Sequence, residues 1–385
     1  MKVLHVIPSL SQVHGGPTQA LALMERALRA QGVTVETAST DDDGPQMRNG
    51  KPCGQPLQEN GVTRWYFRKQ FDFYKLAPDF ARWIGQEAGR FDLLHIHALF
   101  SFTSSAAARA ARRAGVPYVV RPLGTLNRYG IEQRRRWLKP LSLRWVEGPI
   151  LREAAAVHFT SEAEALEASA LGIAFRQAVI PLAVETQPAS AAIPNSPFTP
   201  LRGSPCVLFL SRLDPKKNLE GLLDAVALLK DQMPLLRLLV AGDGSPGYVA
   251  SLHARAESLG ISGQVVWAGH VTGERKAAAF AAADIFALPS HSENFGIAAA
   301  EALACGLPCV LGRGVAIAKE VVQAQAGVSV DPDGQSIAQG LRRIIAHQEG
   351  LARMSANASR LAQQQFSMEV MGAHLKQLYT KILSR

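Results

Sequence analysis

The sequence predicts an α/β protein of two Rossmann-like domains, and three observations carry that expectation. A chain of 385 residues is long enough for two cores of ordinary size. Apolar runs of strand length alternate with segments of helical periodicity in both halves, the pattern of strand-loop-helix units in a parallel sheet. Between the halves, 186–205 carries Pro188, Pro194, Pro197, Pro200 and Pro205 among Ala and Ser, a composition shift that reads as a linker. The expected domains are therefore 1–185 and 206–366, followed by a last helix within 367–385.

Composition narrows the class. Apolar residues make up 47% at a mean hydropathy of +0.03, and no run reaches the roughly 18 apolar residues of a membrane span. Residues 1–8 are too soon interrupted for a signal peptide and read as a first buried strand, so a cytoplasmic protein is expected. Cys53, Cys206, Cys305 and Cys309 form no C-x-x-C pair and read as structural thiols of a reducing compartment. The net charge of +9 is unevenly placed, with eleven Arg and Lys over 109–152 against Glu132 and Glu147. That excess points to an anionic partner: a lipid surface, a phosphorylated acceptor or nucleic acid.

The first half opens with a strand over 2–7, a loop over 9–18 containing Gly15-Gly16-Pro17, and a helix over 19–31 with Leu21, Leu23, Met24, Ala27 and Leu28 as its apolar positions. A strand over 33–38 completes a Rossmann-like opening. The loop lacks G-x-G-x-x-G and no acidic residue closes the second strand at a ribose-binding place, which disfavours hydride transfer. Residues 41–56 are polar and read as a surface loop. Over 64–74 rings mix with cations; a strand and then a helix are expected, with Phe71, Phe73 and Tyr74 packed inward. Base stacking or a membrane interface is the alternative there. Strand 91–97 puts His95 and His97 on one face. His97 is nearest the carboxyl end, where doubly wound sheets bind ligands, and is the better cleft candidate, the other reading being a core or capping histidine. Strand 116–121 leads into Arg121-Pro122-Leu123-Gly124-Thr125. From 129 to 152, cations interleave with Trp137, Trp145 and several Leu. This suits a helix lying in an anionic bilayer surface or a charged helix covering the sheet with its arginine stems. Strands at 156–160 and 178–181 flank a helix over 162–171.

The second half starts with strand 207–210, the turn Ser211-Arg212-Leu213-Asp214-Pro215-Lys216-Lys217-Asn218 and helix 219–230. Three cations at such a turn suit a diphosphate. Strand 237–241 ends in Gly242-Asp243-Gly244, helix 248–259 follows, and strand 265–268 ends in Gly269-His270-Val271. The central stretch is 284–310: an apolar strand, a polar loop, an Ala-rich helix and the stop Gly306-Leu307-Pro308. Asn294, Phe295 and Gly296 stand at the helix start, where amides lack intrahelical partners and the dipole favours an anion. Glu293 precedes the helix and Glu301 lies inside it. At ~100° per residue, eight positions leave them roughly 80° apart, so they are two grips on an extended ligand rather than one dyad. The apolar sequence around Glu301 predicts burial, and a buried carboxylate needs a partner. Asp331-Pro332-Asp333-Gly334 reads as a turn and not as a metal-nucleotide site, so neither a metal nor a cofactor is expected. Helices over 337–349 and 351–365 precede the last one.

Glu293, Phe295-Gly296 and Glu301, with the strand before them and Gly306-Leu307-Pro308 behind, resemble the signature of the retaining nucleotide-sugar glycosyltransferases of the GT-B type, the family 4 group. The resemblance implies two Rossmann-like domains facing each other across a cleft, with the last helix packing back on the first. It implies a hexosyl transfer from a nucleoside diphosphate sugar to an acceptor hydroxyl, with retained configuration and no metal, in polysaccharide or glycolipid synthesis. By the same resemblance, Arg212 and Lys217 hold the donor's phosphates, with Gly15 and Gly16 approaching the diphosphate. His270 and Val271 lie near the base, Glu293 grips sugar hydroxyls, Glu301 grips the ribose, and Asn294, Phe295, Gly296 and Ile297 surround the donor. Glu293, Arg212, Lys217 and His97 are thus the catalytic candidates, and Arg121 and Thr125 the acceptor-side ones. Many relatives carry a histidine just before the glycine of the 121–125 loop; here that place is Leu123. The acceptor is a sugar, a sugar phosphate or a lipid-linked sugar, the last with 109–152 against the inner face of the cytoplasmic membrane. The alternatives are a soluble synthase acting on a small sugar or sugar phosphate, a basic nucleic-acid-binding module, and a catalytically silent homologue that binds a partner. With no base-reading motif, nucleic acid is not expected.

Overall fold

A computed structural model describes residues 1–11, 13, 15–126, 141–185, 198, 201, 203–346 and 348–385. Most of the basic run before Leu141 and most of the 186–205 linker lie outside the described residues. The chain divides into two compact units, Met1–Ala183 with Met368–Arg385, and Val184–Ser367.

The first unit is an eight-stranded sheet of β1 (Lys2–Ser9), β2 (Thr34–Thr40), β3 (Pro56–Glu59), β4 (Val62–Phe67), β5 (Leu93–His97), β6 (Tyr118–Arg121), β7 (Ala156–Phe159) and β8 (Gln177–Val179). Their order is β3-β4-β2-β1-β5-β6-β7-β8, and only β3 runs antiparallel to its neighbour. Two-residue periodicity sends alternate side chains to opposite faces. Leu4, Val6, Leu94, Ile96 and Val120 meet Phe80 and Ala107 from helices Pro78–Glu87 and Phe102–Ala114. Val3, Leu93 and Val119 meet Met24 of helix Gly16–Ala30 and Leu375 of Met368–Leu383. Each fully buried side chain of this kind is worth about 1.5–3 kcal/mol, so both faces hold the unit together.

A hairpin over 56–67 and one failed expectation stand out. The expected 41–56 loop ends where the hairpin begins, and Asn60 (φ 52°) and Gly61 (φ 74°) supply the left-handed turn that joins β3 to β4. Phe71 and Phe73 are not core residues; both are exposed. Pro78 delays the helix until after them, and its inward rings are Phe80 and Trp83, the latter tilted against Trp65 with centroids 5.0 Å apart.

The second unit is a six-stranded parallel sheet of β9 (Cys206–Leu210), β10 (Arg237–Ala241), β11 (Val265–Gly269), β12 (Ile285–Leu288), β13 (Cys309–Gly312) and β14 (Gly327–Val330). The order β11-β10-β9-β12-β13-β14 reverses direction between β9 and β12. In doubly wound sheets the crevice at such a switch point, outside the carboxyl ends, is where ligands bind. The loops emerging there are 211–218 and 289–296. In the first unit the corresponding switch lies between β1 and β5.

Candidate functional site

At the switch point of the second unit the two loops are stitched together by backbone. The Asp214 carboxylate accepts from the Lys216 amide at 3.0 Å and shapes the turn. Asn218, left-handed at φ 56°, caps helix Leu219–Leu229 by accepting from the Gly221 amide at 3.2 Å. Its side-chain amide donates to the carbonyls of Pro289 at 3.2 Å and Pro332 at 2.9 Å. The His291 amide donates to the Lys216 carbonyl at 3.0 Å. Lys217 Nζ, held by this frame, forms an ion pair with Glu293 Oε1, to which Ser290 Oγ also donates at 3.2 Å. The two charged side chains keep 15% and 14% of their surface in solvent, so a ligand can still reach them.

Glycine makes the loop packing feasible. A Cβ on Gly312 would stand 2.4 Å from the Ser290 carbonyl oxygen, and one on Gly314 would stand 2.0 Å from that of His291, so the chain after β13 lies directly against 289–293. The Glu293 amide donates to the Gly314 carbonyl at 2.8 Å. Gly296 adopts φ 90° at the start of helix Ile297–Ala304, a region that side chains disfavour. Ala299 and Ala300 donate to the Gly296 carbonyl, leaving the amides of Ile297 and Ala298 without an intrahelical acceptor. Glu301 is gripped separately: Lys276 Nζ, from helix Gly273–Ala281, lies 2.6 Å from its Oε1. That helix follows the turn of Gly269 (φ 66°), where His270 is exposed and Val271 buried. Arg212 is exposed and has no ion-pair partner among the described residues. Cations, a helix N-terminus and two carboxylates thus share one end of the sheet, an arrangement suited to a ligand that is anionic in one part and rich in hydroxyls in another.

Two family models match the chain nearly end to end: "Glycosyl transferase 4-like domain" over 15–183 and "Glycosyl transferases group 1" over 196–361. The chain belongs to the group 1 glycosyltransferases. Among curated relatives it is similar to a D-inositol 3-phosphate glycosyltransferase of Xylanimonas cellulosilytica, 33% identical over 47% of this chain and 43% of that one. It is also similar to a GDP-mannose-dependent phosphatidylinositol monomannoside mannosyltransferase of Mycolicibacterium smegmatis, 31% identical over 45% and 47%. The chain thus matches less than half the length of either. Solved structures of the same fold include sucrose-phosphate synthase from Thermosynechococcus elongatus (TM-score 0.78, 20% identity, 100% and 99% covered). Another is Anabaena HepE in complex with UDP (TM-score 0.79, 23% identity, 99% and 100% covered). The fold of this group 1 glycosyltransferase is accordingly two Rossmann-like domains.

The first-unit candidates of this glycosyltransferase sit in two layers. Gly15, at φ 63°, starts helix Gly16–Ala30, and Thr18 Oγ1 ties that start to the Ser11 carbonyl at 2.9 Å. Thr125 Oγ1 donates to the Pro122 carbonyl at 2.7 Å, and the Gly124 amide donates to Glu164 at 2.9 Å. Leu123, where the resemblance leads to an expected histidine, takes φ 58°. Beneath this loop His97 and Arg121 are sealed, 0% and 3% exposed. His97 Nε2 hydrogen-bonds His5 Nδ1 at 2.7 Å, His95 Nδ1 meets the Tyr379 hydroxyl at 2.7 Å, and His158 Nε2 donates to the Ile180 carbonyl at 2.9 Å. Burial, then the charge of Arg121, pushes His5 down to about 3; the same two causes do so for His158. His97 and His95 are also held well below 6.5, chiefly by burial. Burial brings Arg121 down to about 10, and its Nε and Nη1 have no partner among the described residues. The ring nitrogens of His5, His95 and His97 lie within 4.8 Å of one another, close enough to ligate a metal, although the adjacent Arg121 cation opposes a second positive charge.

Sequence reasoning missed Lys276, Ser290, Gly312 and Gly314. Thr272-Gly273-Glu274 is the helix-start signal that places Lys276 inside helix Gly273–Ala281. Gly312-Arg313-Gly314 directly after a strand marks close backbone approach.

Proposed function

We propose that the protein transfers a hexosyl group from a nucleoside diphosphate sugar to an acceptor hydroxyl, with retention at the anomeric carbon and without a metal ion. The observation that carries this reading is the junction of the cationic turn 211–218 with the start of helix Ile297–Ala304, made through Lys217 and Glu293. In the transfer, the bond between the anomeric carbon and the diphosphate oxygen breaks and a bond to the acceptor oxygen forms on the same face. The acceptor proton passes to the departing phosphate oxygen. The charge that builds on the diphosphate is met by Arg212, Lys217 and the amides at 297–298. Lys217 exchanges Glu293 for phosphate, which releases Glu293 to accept from sugar hydroxyls. Glu301, steadied by Lys276, accepts from the ribose, with His270 and Val271 beside the base and Asn294, Phe295 and Gly296 shaping the donor wall.

In the first unit, Gly15 and Gly16 at the start of helix Gly16–Ala30, and Thr125 on the loop after β6, follow the carboxyl ends of strands and serve the donor diphosphate and the acceptor. His97 and Arg121, being sealed, act beneath the 122–125 loop rather than on substrate. The acceptor is a phosphorylated or lipid-borne polyol, as the names of the curated relatives suggest; a soluble sugar phosphate, as for the synthase of like fold, is the second reading. A melting panel of UDP-, GDP- and ADP-sugars tests the donor class, since a ligand that binds only the folded protein raises its melting temperature. No shift with any of them would remove the reading.

A further inference from the structure

The first unit carries a surface that the transfer reading does not use. Strands β1, β2, β4, β5 and β6 run parallel, so the loops at their carboxyl ends gather on one rim. Six large apolar side chains that are exposed among the described residues stand in those loops. Val13 follows β1, Met47 follows β2, Phe71 and Phe73 follow β4, and Leu141 and Trp145 lie between β6 and β7. Their exposure runs from 59% for Met47 and Leu141 to 69% for Val13, with Trp145 at 67%.

Several of these loops are tied to each other. The Gln46 amide donates to Asp72 at 3.0 Å, joining the Met47 loop to the phenylalanine loop. The Tyr74 hydroxyl donates to Glu147 at 2.8 Å, and the Phe100 amide reaches the same carboxylate at 3.2 Å. Glu147 is fully buried, so this link fixes the 141–147 segment beside Phe73. An apolar rim held in this way needs an explanation that scattered surface residues do not.

Charge selects the partner. The acids nearby are already engaged: Lys69 and Lys75 both reach Asp42 at 2.6 Å, and Lys69 also reaches Asp72 at 2.5 Å. Cations are left outward. Arg144 is exposed, with its guanidinium over the Trp145 ring at 5.4 Å, and Arg68 is exposed as well; Arg48, also exposed, is 3.8 Å from Asp41. Rings and aliphatic side chains set among arginines match the headgroup layer of an anionic bilayer, with rings at the acyl boundary and guanidinium groups on phosphates. A single-stranded nucleic acid would instead use successive rings along a cationic groove.

We propose that this rim seats the protein on an anionic lipid surface. The surface contact does not depend on the transfer reading; only its use, to present a lipid-borne acceptor to the loops at the carboxyl ends, rests on that reading.

The test is sedimentation of the full chain with vesicles of phosphatidylcholine alone and of phosphatidylcholine mixed with phosphatidylglycerol. The protein is expected to pellet with the anionic vesicles and to be released as ionic strength rises from about 0.05 M to about 0.5 M. The double variant Phe73→Ser with Trp145→Ser should bind these vesicles at least about tenfold more weakly. Its circular dichroism melting curve should match wild type, because both side chains are mostly in solvent. Brominated acyl chains should quench tryptophan fluorescence less in Trp145→Phe than in wild type. Three results overturn the proposal: no binding to anionic vesicles, undiminished binding by the double variant, or equal binding to neutral vesicles at every salt concentration. Retention on DNA in place of vesicles also overturns it. If vesicle binding fails while UDP still raises the melting temperature, the surface is lost and the transfer reading stands. Vesicle binding with no response to any nucleotide sugar gives the reverse.

Discussion

Lys217→Met and Glu293→Gln should move nucleotide binding in opposite directions. In the free protein Lys217 is paired with Glu293, each side chain about one-seventh exposed; under the proposed transfer Lys217 would hold the donor's phosphate instead. A charge-assisted hydrogen bond contributes about 1.5–3 kcal/mol, and surrendering a partly exposed ion pair costs up to about 1 kcal/mol. The net loss in Lys217→Met is therefore about 0.5–3 kcal/mol, a rise in the Kd for UDP of roughly 2- to 150-fold. Glu293→Gln removes the competitor for Lys217, so UDP should bind as well as before or up to about 5-fold more tightly. The same variant loses its charge-assisted grip on the sugar, and turnover with a sugar donor should fall by about 2–3 kcal/mol in the barrier. Titration calorimetry with UDP and a turnover assay with the nucleotide sugar chosen by the melting panel give the two readouts. Lys217→Met with wild-type affinity, or Glu293→Gln weakened as much as Lys217→Met, would refute the exchange.

Three further outcomes follow from the geometry. Gly296→Val should lower the melting temperature by several degrees, a cost of about 1–3 kcal/mol, because a Cβ there meets Val315 Cγ1 at 3.0 Å with φ at 90°; an unchanged melt would show that the loop can relax. Tyr379→Phe should cost about 1 kcal/mol in a urea titration by removing the 2.7 Å bond to His95, and a neutral result would mean that the bond adds nothing net. His5 and His158 titrate near 3 when folded, against about 6.5 unfolded. Between those values the unfolded chain binds more protons, so stability is full above about pH 6.5 and is lost as pH falls below it, by about 1.4 kcal/mol per unit for each such histidine. The melting temperature should drop between pH 7 and pH 5, and the drop should flatten in His158→Gln. A melting temperature constant over that interval would contradict the buried neutral assignment.

The second unit's site was the more legible part of the sequence. Arg212, Lys217, Glu293 and Glu301 could be picked out because each stands beside a structural punctuation mark: Pro215 and Asn218 at one helix start, Gly296 at the other, Gly306-Leu307-Pro308 behind. Glu293 and Glu301 pair with different lysines, although Glu293 lies before helix Ile297–Ala304 and helical angle does not decide its partner. What could not be read was which lysine serves Glu301, because the pairing crosses from helix Gly273–Ala281 to helix Ile297–Ala304, and sequence spacing is silent on such contacts. His97 shows the other limit. A period of two placed it correctly on a face with His95, but that face is covered in part by the last helix, whose Tyr379 hydroxyl bonds His95 from some 280 residues away in the chain. Phe71 and Phe73 were misread for a local reason: rings suggest burial, and the delay imposed by Pro78 outweighs that tendency.

The charged groups of the two units are built to different ends, and burial decides which. Arg64 and Glu25 pair at 2.8 Å with 9% and 3% of their side chains exposed. Removing one partner of such a buried pair leaves an uncompensated charge at a cost of about 3–5 kcal/mol, so these residues hold the sheet and cannot trade partners. Lys217 with Glu293, and Lys276 with Glu301, keep between 14% and 27% of their side chains in solvent. For those pairs water can follow each charge as it moves, and separation costs nearer 1 kcal/mol. Position is instead fixed by backbone, through the Asn218 amide on Pro289 and Pro332 and through Gly312 and Gly314 lying on 290–291. The proposed binding and release of a diphosphate would need this combination of immobile backbone and exchangeable charge. A sealed ion pair at 217 and 293 would bind nothing, and a fully solvated one would lose its geometry.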